Sequence, residues 1–183
     1  MGQSWSGIRK RLEKDLLANS LKGRVKYFIT KYTDANDDEA RFSIIIDGKE
    51  MFNANVFTFW TMYNQLSKTA KDKLNTPEGQ WNHMYFETDT EDKEINQKVE
   101  QQLLNKGIFS VYYFTHSLRE YLNQEIRKSI CSDNPLVRIL AVLDRRVGKR
   151  TLERVGKSFK MEPEWVQPFY KLRLDAEHIE YEK

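Results

Sequence analysis

The chemistry most legible in this 183-residue chain is cationic. Between residues 137 and 160, eight basic residues stand against two acidic ones, centred on Asp144-Arg145-Arg146-Val147-Gly148-Lys149-Arg150. Guanidinium groups present planar forks of donors that match phosphate and carboxylate oxygens. Leu136, Ile139, Leu140, Leu143 and Val147 have the spacing of one apolar helix face. On that helix Arg138 and Arg145 project away from the stripe and Arg146 lies at its flank. Arg138, Arg145, Arg146, Lys149, Arg150 and Arg154 are therefore candidates for binding a phosphate backbone or an acidic protein surface. The competing structural role is neutralisation within the fold by Asp144 and nearby glutamates, and the spacing does not choose between the two.

Other chemistry is sparse. The chain has no G-x-x-x-x-G-K-[ST], G-x-G-x-x-G or G-x-S-x-G motif, so phosphate-loop, dinucleotide and hydrolase readings lack their usual support. His83, His116 and His178 form no metal-binding pair. His116 and Glu120 stand four apart on a predicted helix, which makes two ligands at most. Asp47-Gly48-Lys49 resembles the D-x-K element of metal-dependent nucleases, but a hairpin turn explains Asp47 and Gly48 on its own. Cys131, the only cysteine, is expected as a small buried residue beside Ile130. Trp5, Trp60 and Trp165 fall on predicted apolar faces, which favours packing over base stacking. No catalytic set, metal or cofactor is expected.

These residues need elements to position them. Trp5, Ile8, Leu12 and Leu16 predict an N-terminal helix capped by Ser4 or Ser6 and ended by Gly23. Alternation at Val25, Tyr27 and Ile29 predicts a strand, followed by the acidic loop 34–39. Asp47-Gly48 between two strand-like runs predicts a two-residue hairpin, with Ile44 opposite Met51 and Ser43 opposite Phe52. A strand ending near Phe57 to Phe59 should then pass into a helix that stops before the 75–79 turn, with a short strand possible over 81–86.

The second half reads as helical. Thr88-x-x-Glu91 has the capping-box pattern, and Ile95, Val99 and Leu103 form a stripe ended by Gly107. One long helix is expected from the wider stripe of Val111, Phe114, Leu118, Tyr121, Leu122, Ile126 and Ile130. Asp133-Asn134-Pro135 starts the next, which Gly148 closes, with a short basic helix over 151–157. A last helix over 162–176 buries Trp165, Phe169, Leu172 and Ala176, its start delayed or kinked by Pro168. Strands grouped before helices give an α+β fold: an N-terminal helix, an antiparallel sheet of three to four strands, then a mainly helical half. We expect a single domain over 1–183, built from a helix-sheet-helix unit (1–75) and a helical unit packed on it (88–183). The order helix, three strands, helix also matches double-stranded-RNA-binding domains, an analogy of fold alone.

The overall charge of +3 hides a pattern. Residues 1–31 carry +6, 32–136 carry −6, 137–160 carry +6 and 161–183 carry −3. The longest apolar run is five residues, from Ile139 to Leu143, against the roughly 20 a spanning helix needs. With one cysteine and no apolar leader segment, the expectation is a soluble cytoplasmic protein outside the membrane.

At the Asp-Arg-Arg-Val-Gly-Lys-Arg stretch, and along most of its length, the chain resembles a family of small uncharacterised bacterial cytosolic proteins. The residues that carry the resemblance are Trp5-Ser6, Gly23-Arg24-Val25, Ile46-Asp47-Gly48-Lys49, Gly107-Ile108-Phe109, Glu120-Tyr121-Leu122-Asn123, Ser132 to Pro135, Ala141 to Arg150, and Pro163-Glu164-Trp165 with the segment from Phe169 to Glu177. The family pattern favours glycine after Ala-Glu, where this chain has His178. The resemblance brings no established activity, and it adds Arg173 to the candidate partner-binding residues. The expectation is a non-enzymatic binding or regulatory protein docking an acidic partner, nucleic acid or protein, through a basic helical face. The alternatives are a protein-partner module of the adaptor or toxin-immunity kind, and an enzyme of unrecognised type.

Overall fold

In the computed structural model, which describes residues 4–31, 40–73 and 90–181, Ser4 caps the first helix. Its Oγ accepts the Gly7 N–H at 3.4 Å, opening α1 (Trp5–Lys10). The helix then widens into π turns over Arg11–Leu16, where Leu17 donates to the Leu12 carbonyl five residues back at 3.0 Å. This widening keeps both Leu12 and Leu17 buried and sets Glu13 beside the sheet. The Glu13 Oε1 accepts the Tyr27 N–H at 2.9 Å, satisfying a donor that an edge strand would otherwise leave open.

The sheet has three antiparallel strands, β1 (Val25–Lys31), β2 (Ala40–Ile46) and β3 (Lys49–Asn55), in that spatial order. Asp47 (φ 50°) and Gly48 (φ 82°) make the expected tight turn, and Arg24 grips the Asp47 carboxylate through Nε at 3.0 Å and Nη2 at 2.7 Å. The register departs from expectation one step further along. A bulge at Glu50 and Met51 sets Ile44 opposite Phe52 and Ser43 opposite Asn53. Side chains alternate along a strand, so an unbulged register would put Phe52 on the outer face. The extra residue returns Phe52 to the inner face with Phe42, Ile44 and Ala54, all buried.

Strand gives way to helix at Asn55, earlier than alternation suggests. The Asn55 Oδ1 accepts the Thr58 N–H at 3.1 Å, so α2 (Val56–Lys73) starts before Phe57. Phe59 turns inward, while Phe57 and Trp60 lie exposed. Five further helices follow α3 (Thr90–Asn105): α4 (Val111–Asn123), α5 (Ile126–Ser129), α6 (Pro135–Val142), α7 (Lys149–Gly156) and α8 (Gln167–Ala176). The architecture is α+β, as expected. Ile95, Val99 and Leu103 bury against Phe59 in a small cluster between α2 and α3. The 111–130 stripe is two helices, because Gln124 is extended (φ −117°, ψ 166°). The loop 34–39, the turn 75–79, the strand over 81–86 and the Thr88 end of the capping box lie outside the described residues.

The main core runs from Leu12 to Ile179. α6 is its axis: Asn134 caps it by accepting the Leu136 N–H, Pro135 occupies its first turn, and every residue but Arg138 is buried. A helix apolar all round belongs inside, and α6 packs between α4 and α8 while α4 lies on β2 and β3. Pro168 falls in the first turn of α8, which starts at Gln167.

Two helices end in the same way with different residues. After α3, Ile108 donates to Leu103 O and Gly107 to Leu104 O, with Gly107 at φ 76°. After α8, Ile179 donates to Leu174 O and His178 to Asp175 O, with His178 at φ 53°. Both are Schellman closures, whose left-handed residue favours glycine. At Gly107 a second constraint applies, since an added Cβ would lie 2.9 Å from the Trp165 ring. Gly107→Ala should therefore cost about 2 kcal/mol or more, and His178→Gly should gain about 0.5–1 kcal/mol. Urea unfolding midpoints of the two variants check both signs.

Candidate functional site

The basic stretch is organised around one buried carboxylate. α6 stops at Val142, although Leu143 and Val147 continue its apolar spacing. The reason is Asp144, 1% exposed, whose Oδ1 accepts the Arg146 N–H at 2.7 Å. This local bond from side chain to backbone two residues on competes with the helix and folds a turn instead. Oδ2 accepts three further donors: the Tyr121 hydroxyl at 2.5 Å and Arg146 Nε and Nη2 at 2.9 and 2.6 Å. The Arg146 guanidinium also lies 5.9 Å over the Tyr121 ring. Hydrogen bonding to Asp144 pushes the Arg146 pKa up. Burial, reinforced by the Asp144 charge, pushes the Tyr121 hydroxyl well above the ordinary phenol range.

The same turn is stitched to the N-terminal segment. Leu17 and Asp144 form an antiparallel bridge, with Arg145 N–H donating to Leu16 O at 2.7 Å and Ala18 N–H to Leu143 O at 2.9 Å. The chain leaving the basic N-terminal helix therefore lies directly against the second basic stretch.

The candidate cations divide into two groups. Arg138 donates from Nε and Nη2 to Glu162 at 2.9 and 2.6 Å and from Nη1 to Ser132 O at 2.5 Å, mostly out of solvent. Arg173, 3% exposed, donates to Val147 O at 3.3 Å and lies 3.4 Å from Glu177, and burial lowers its pKa. With Arg146, these two bond to the fold. Arg145, Lys149, Arg150 and Arg154 are exposed, and none has an ion-pair partner among the described residues. Arg145 sits on the turn rather than on a helix face. Lys149, Arg150 and Arg154 lie on α7, whose Leu152 and Gly156 face inward; Lys157, just beyond it, is exposed too. Gly148 precedes α7 with no side-chain cap, and no acidic residue occupies the first turn. Lys149 and Arg150 there add to the positive end of the helix dipole, with Glu153 one turn further along.

Sequence spacing did not assign the partners. Tyr121, which donates to Asp144, reads as one more apolar stripe position, and Glu162 is one of several nearby glutamates that could neutralise an arginine; the fold brings them to Asp144 and Arg138. Elsewhere, Glu120 accepts from Ser132 Oγ at 3.0 Å, and no group of three or more metal-ligating side chains occurs among the described residues. Cys131, expected inside, is exposed at the end of the α5 turn while Ile130 takes the buried position. Among the described residues no helix is long and apolar enough to cross a membrane.

Residues 4–174 match the family model of the SF0329 protein family. No curated protein and no solved structure matches the chain.

The buried phenols make stability sensitive to alkali. Tyr27, Tyr121 and Tyr170 all have raised pKa values, with burial the largest cause in each. An unfolded tyrosine titrates near pH 10, so above that pH the unfolded chain sheds protons that the folded one keeps. Stability present at neutral pH should therefore fall progressively above about pH 10. Tyr121→Phe should cost about 2 kcal/mol at pH 7 by removing a donor from Asp144, and should make the alkaline fall shallower. Urea titrations at pH 7 and 10.5 measure both effects.

Proposed function

This chain belongs to the SF0329 protein family, and we propose that it is a non-enzymatic cytoplasmic binding protein that docks an acidic partner on the surface of Arg145, Lys149, Arg150 and Arg154. The observation that carries this reading is the division of the cations. Arg138, Arg146 and Arg173 bond within the fold, while these four stand exposed and unpaired among the described residues. Glu153 is also exposed on α7 but forms no ion pair with any of the four among the described residues, so their charge does little for the fold, whereas an anionic partner turns the same field into binding energy.

Of the acidic partners, a nucleic-acid backbone fits best. The uncapped amino end of α7 offers backbone N–H groups beside Lys149 and Arg150, a combination suited to phosphate oxygens. The bridge between Leu17 and Asp144 supports a wider field, because it draws the end of the N-terminal basic segment alongside. The single cysteine suits a bacterial cytoplasm, where thiols stay reduced. The partner would meet one folded unit, which the core running from Leu12 to Ile179 supports.

A second reading, a protein-partner module of the adaptor or toxin-immunity kind, draws on a different surface. Phe57 and Tyr112 are 70% and 73% exposed, and ring contacts link Trp60, Phe59, Tyr113 and Tyr112 in one row.

Fluorescence anisotropy with 20-base-pair duplex DNA and RNA tests the first reading. Binding should weaken steeply with salt, at about 0.9 log units per log unit for each phosphate contact on DNA. The double variant Arg145→Ala/Arg150→Ala should lose about tenfold in affinity at low salt and flatten that slope by about two, while melting as the wild type does. Absent or salt-insensitive binding rejects the nucleic-acid form. If a pull-down then recovers the same proteins with wild type and double variant, the basic surface is not the docking site. Loss of those proteins on Phe57→Ser/Tyr112→Ser would favour the second reading.

A further inference from the structure

The edge of the sheet opposite the N-terminal helix carries a second recognition feature, independent of the basic surface. Among the described residues β3 is an edge strand, and only its end has a further neighbour. Ala54 forms a parallel bridge with Phe109, and the Asn55 N–H donates to Phe109 O at 2.9 Å. Upstream the two segments part, and a cleft of about 270 Å³ opens between Glu50–Asn53 on one side and Lys106–Ile108 on the other. Phe52, Phe109 and Trp165 line it, with ring centroids 5.3–5.6 Å apart. Trp165 is held in place by its Nε1 bond to Asn105 O at 3.1 Å and by the absence of a Cβ at Gly107.

We propose that this cleft receives an extended segment of a partner protein, which adds as a strand to the open edge of β3, sets an apolar side chain on Trp165 and pairs an acidic residue with Lys106. The backbone of β3 argues for a peptide. Donor directions alternate along an antiparallel strand, so the Asn53 N–H points away from β2, the same way as the Asn55 N–H that Phe109 takes. Strand addition supplies the acceptor such an edge lacks. The Phe109 bridge shows the geometry already in use two residues along. The charge argues for an acidic residue. Glu50 is committed to Arg41, Ser43 and Asn53, whereas Lys106 is exposed and has no ion-pair partner among the described residues. The bulge at Glu50–Met51 limits the pairing to a short stretch, which suits a peptide and opposes edge-to-edge assembly of two copies.

The test is selection from a display library of random octapeptides without free C-termini, using the full chain as bait, followed by titration of the synthetic peptides selected. Peptides with a β-branched or aromatic residue near an Asp or Glu should be enriched. Asn53→Pro, which removes the outward N–H and leaves the pairing to β2, should weaken binding at least about tenfold. Lys106→Ala should weaken it about threefold or more, and changing the acidic residue of the peptide to its amide should remove the difference between Lys106→Ala and wild type. Arg145→Ala/Arg150→Ala should bind the peptides as the wild type does, which separates this cleft from the basic surface. No enrichment over an empty bait, or wild-type affinity in both Asn53→Pro and Lys106→Ala, overturns the proposal. Should Asn53→Pro fail to fold, Lys106→Ala with the acidic and amide peptides decides alone.

Discussion

The structure turns on a carboxylate that has left water. Asp144 sits where the central helix ends, and burying its charge is costly unless the oxygens are filled. Four donors fill them: the Arg146 backbone N–H, the Arg146 guanidinium through two nitrogens, and the Tyr121 hydroxyl. These bonds close a turn, and the turn's backbone in turn pairs with Leu16 and Ala18. One side chain thus ties Tyr121 of α4 to the end of α6, and its turn to an N-terminal segment more than a hundred residues earlier in sequence. Removing it would strand a guanidinium, a phenol and a bridge at once, which is why it is read as structural rather than reactive.

The consequence for function is a sorting of charge. The turn that consumes Arg146 throws Arg145 outward, and Gly148 starts α7 so that Lys149, Arg150 and Arg154 follow it to the surface. Arg138 is taken by Glu162 and Arg173 lies beneath the turn against Val147 O. Of the seven candidate cations, three therefore bond to the fold, and four stand exposed with no ion pair among the described residues. Lys149 and Arg150 stand at the positive end of a helix dipole, an arrangement unfavourable for the isolated fold and favourable for holding anions.

Much of this order is readable from residue spacing, and the failures share a cause. The Asp47-Gly48 turn, the Asn134-Pro135 helix start and the Gly107 helix end follow from local chemistry, and each stands where spacing puts it. The register of the hairpin does not, because the bulge at Met51 serves a non-local need, bringing Phe52 to the core. The end of α6 was hidden for the same reason: Leu143 and Val147 keep the apolar period, and only the burial of Asp144 against Tyr121 breaks it. Likewise the 111–130 stripe stays apolar through the break at Gln124, so periodicity alone cannot see two helices. The candidate cations of 138–154 were visible as a group and Arg173 came from the family resemblance, but which are spent depends on Glu162, Val147 O and Asp144 reaching them through the fold. The glycine that the family resemblance favours at position 178 gains a physical reason, since His178 occupies a left-handed position there.

The central claim is that Asp144, with Arg146, holds the fold while the exposed Arg145, Lys149 and Arg150 do not. Equilibrium urea unfolding of Asp144→Ala beside the triple variant Arg145→Ala/Lys149→Ala/Arg150→Ala tests it most directly. Asp144→Ala should lose about 2–3 kcal/mol, chiefly by leaving the buried Tyr121 hydroxyl and the Arg146 N–H without their acceptor, since the Arg146 side chain can turn to water. The triple variant should stay within about 0.5 kcal/mol of wild type, or gain slightly as repulsion and the dipole conflict are relieved. A triple variant destabilised as much as Asp144→Ala would contradict the account, because the exposed cations would then be part of what holds the chain together.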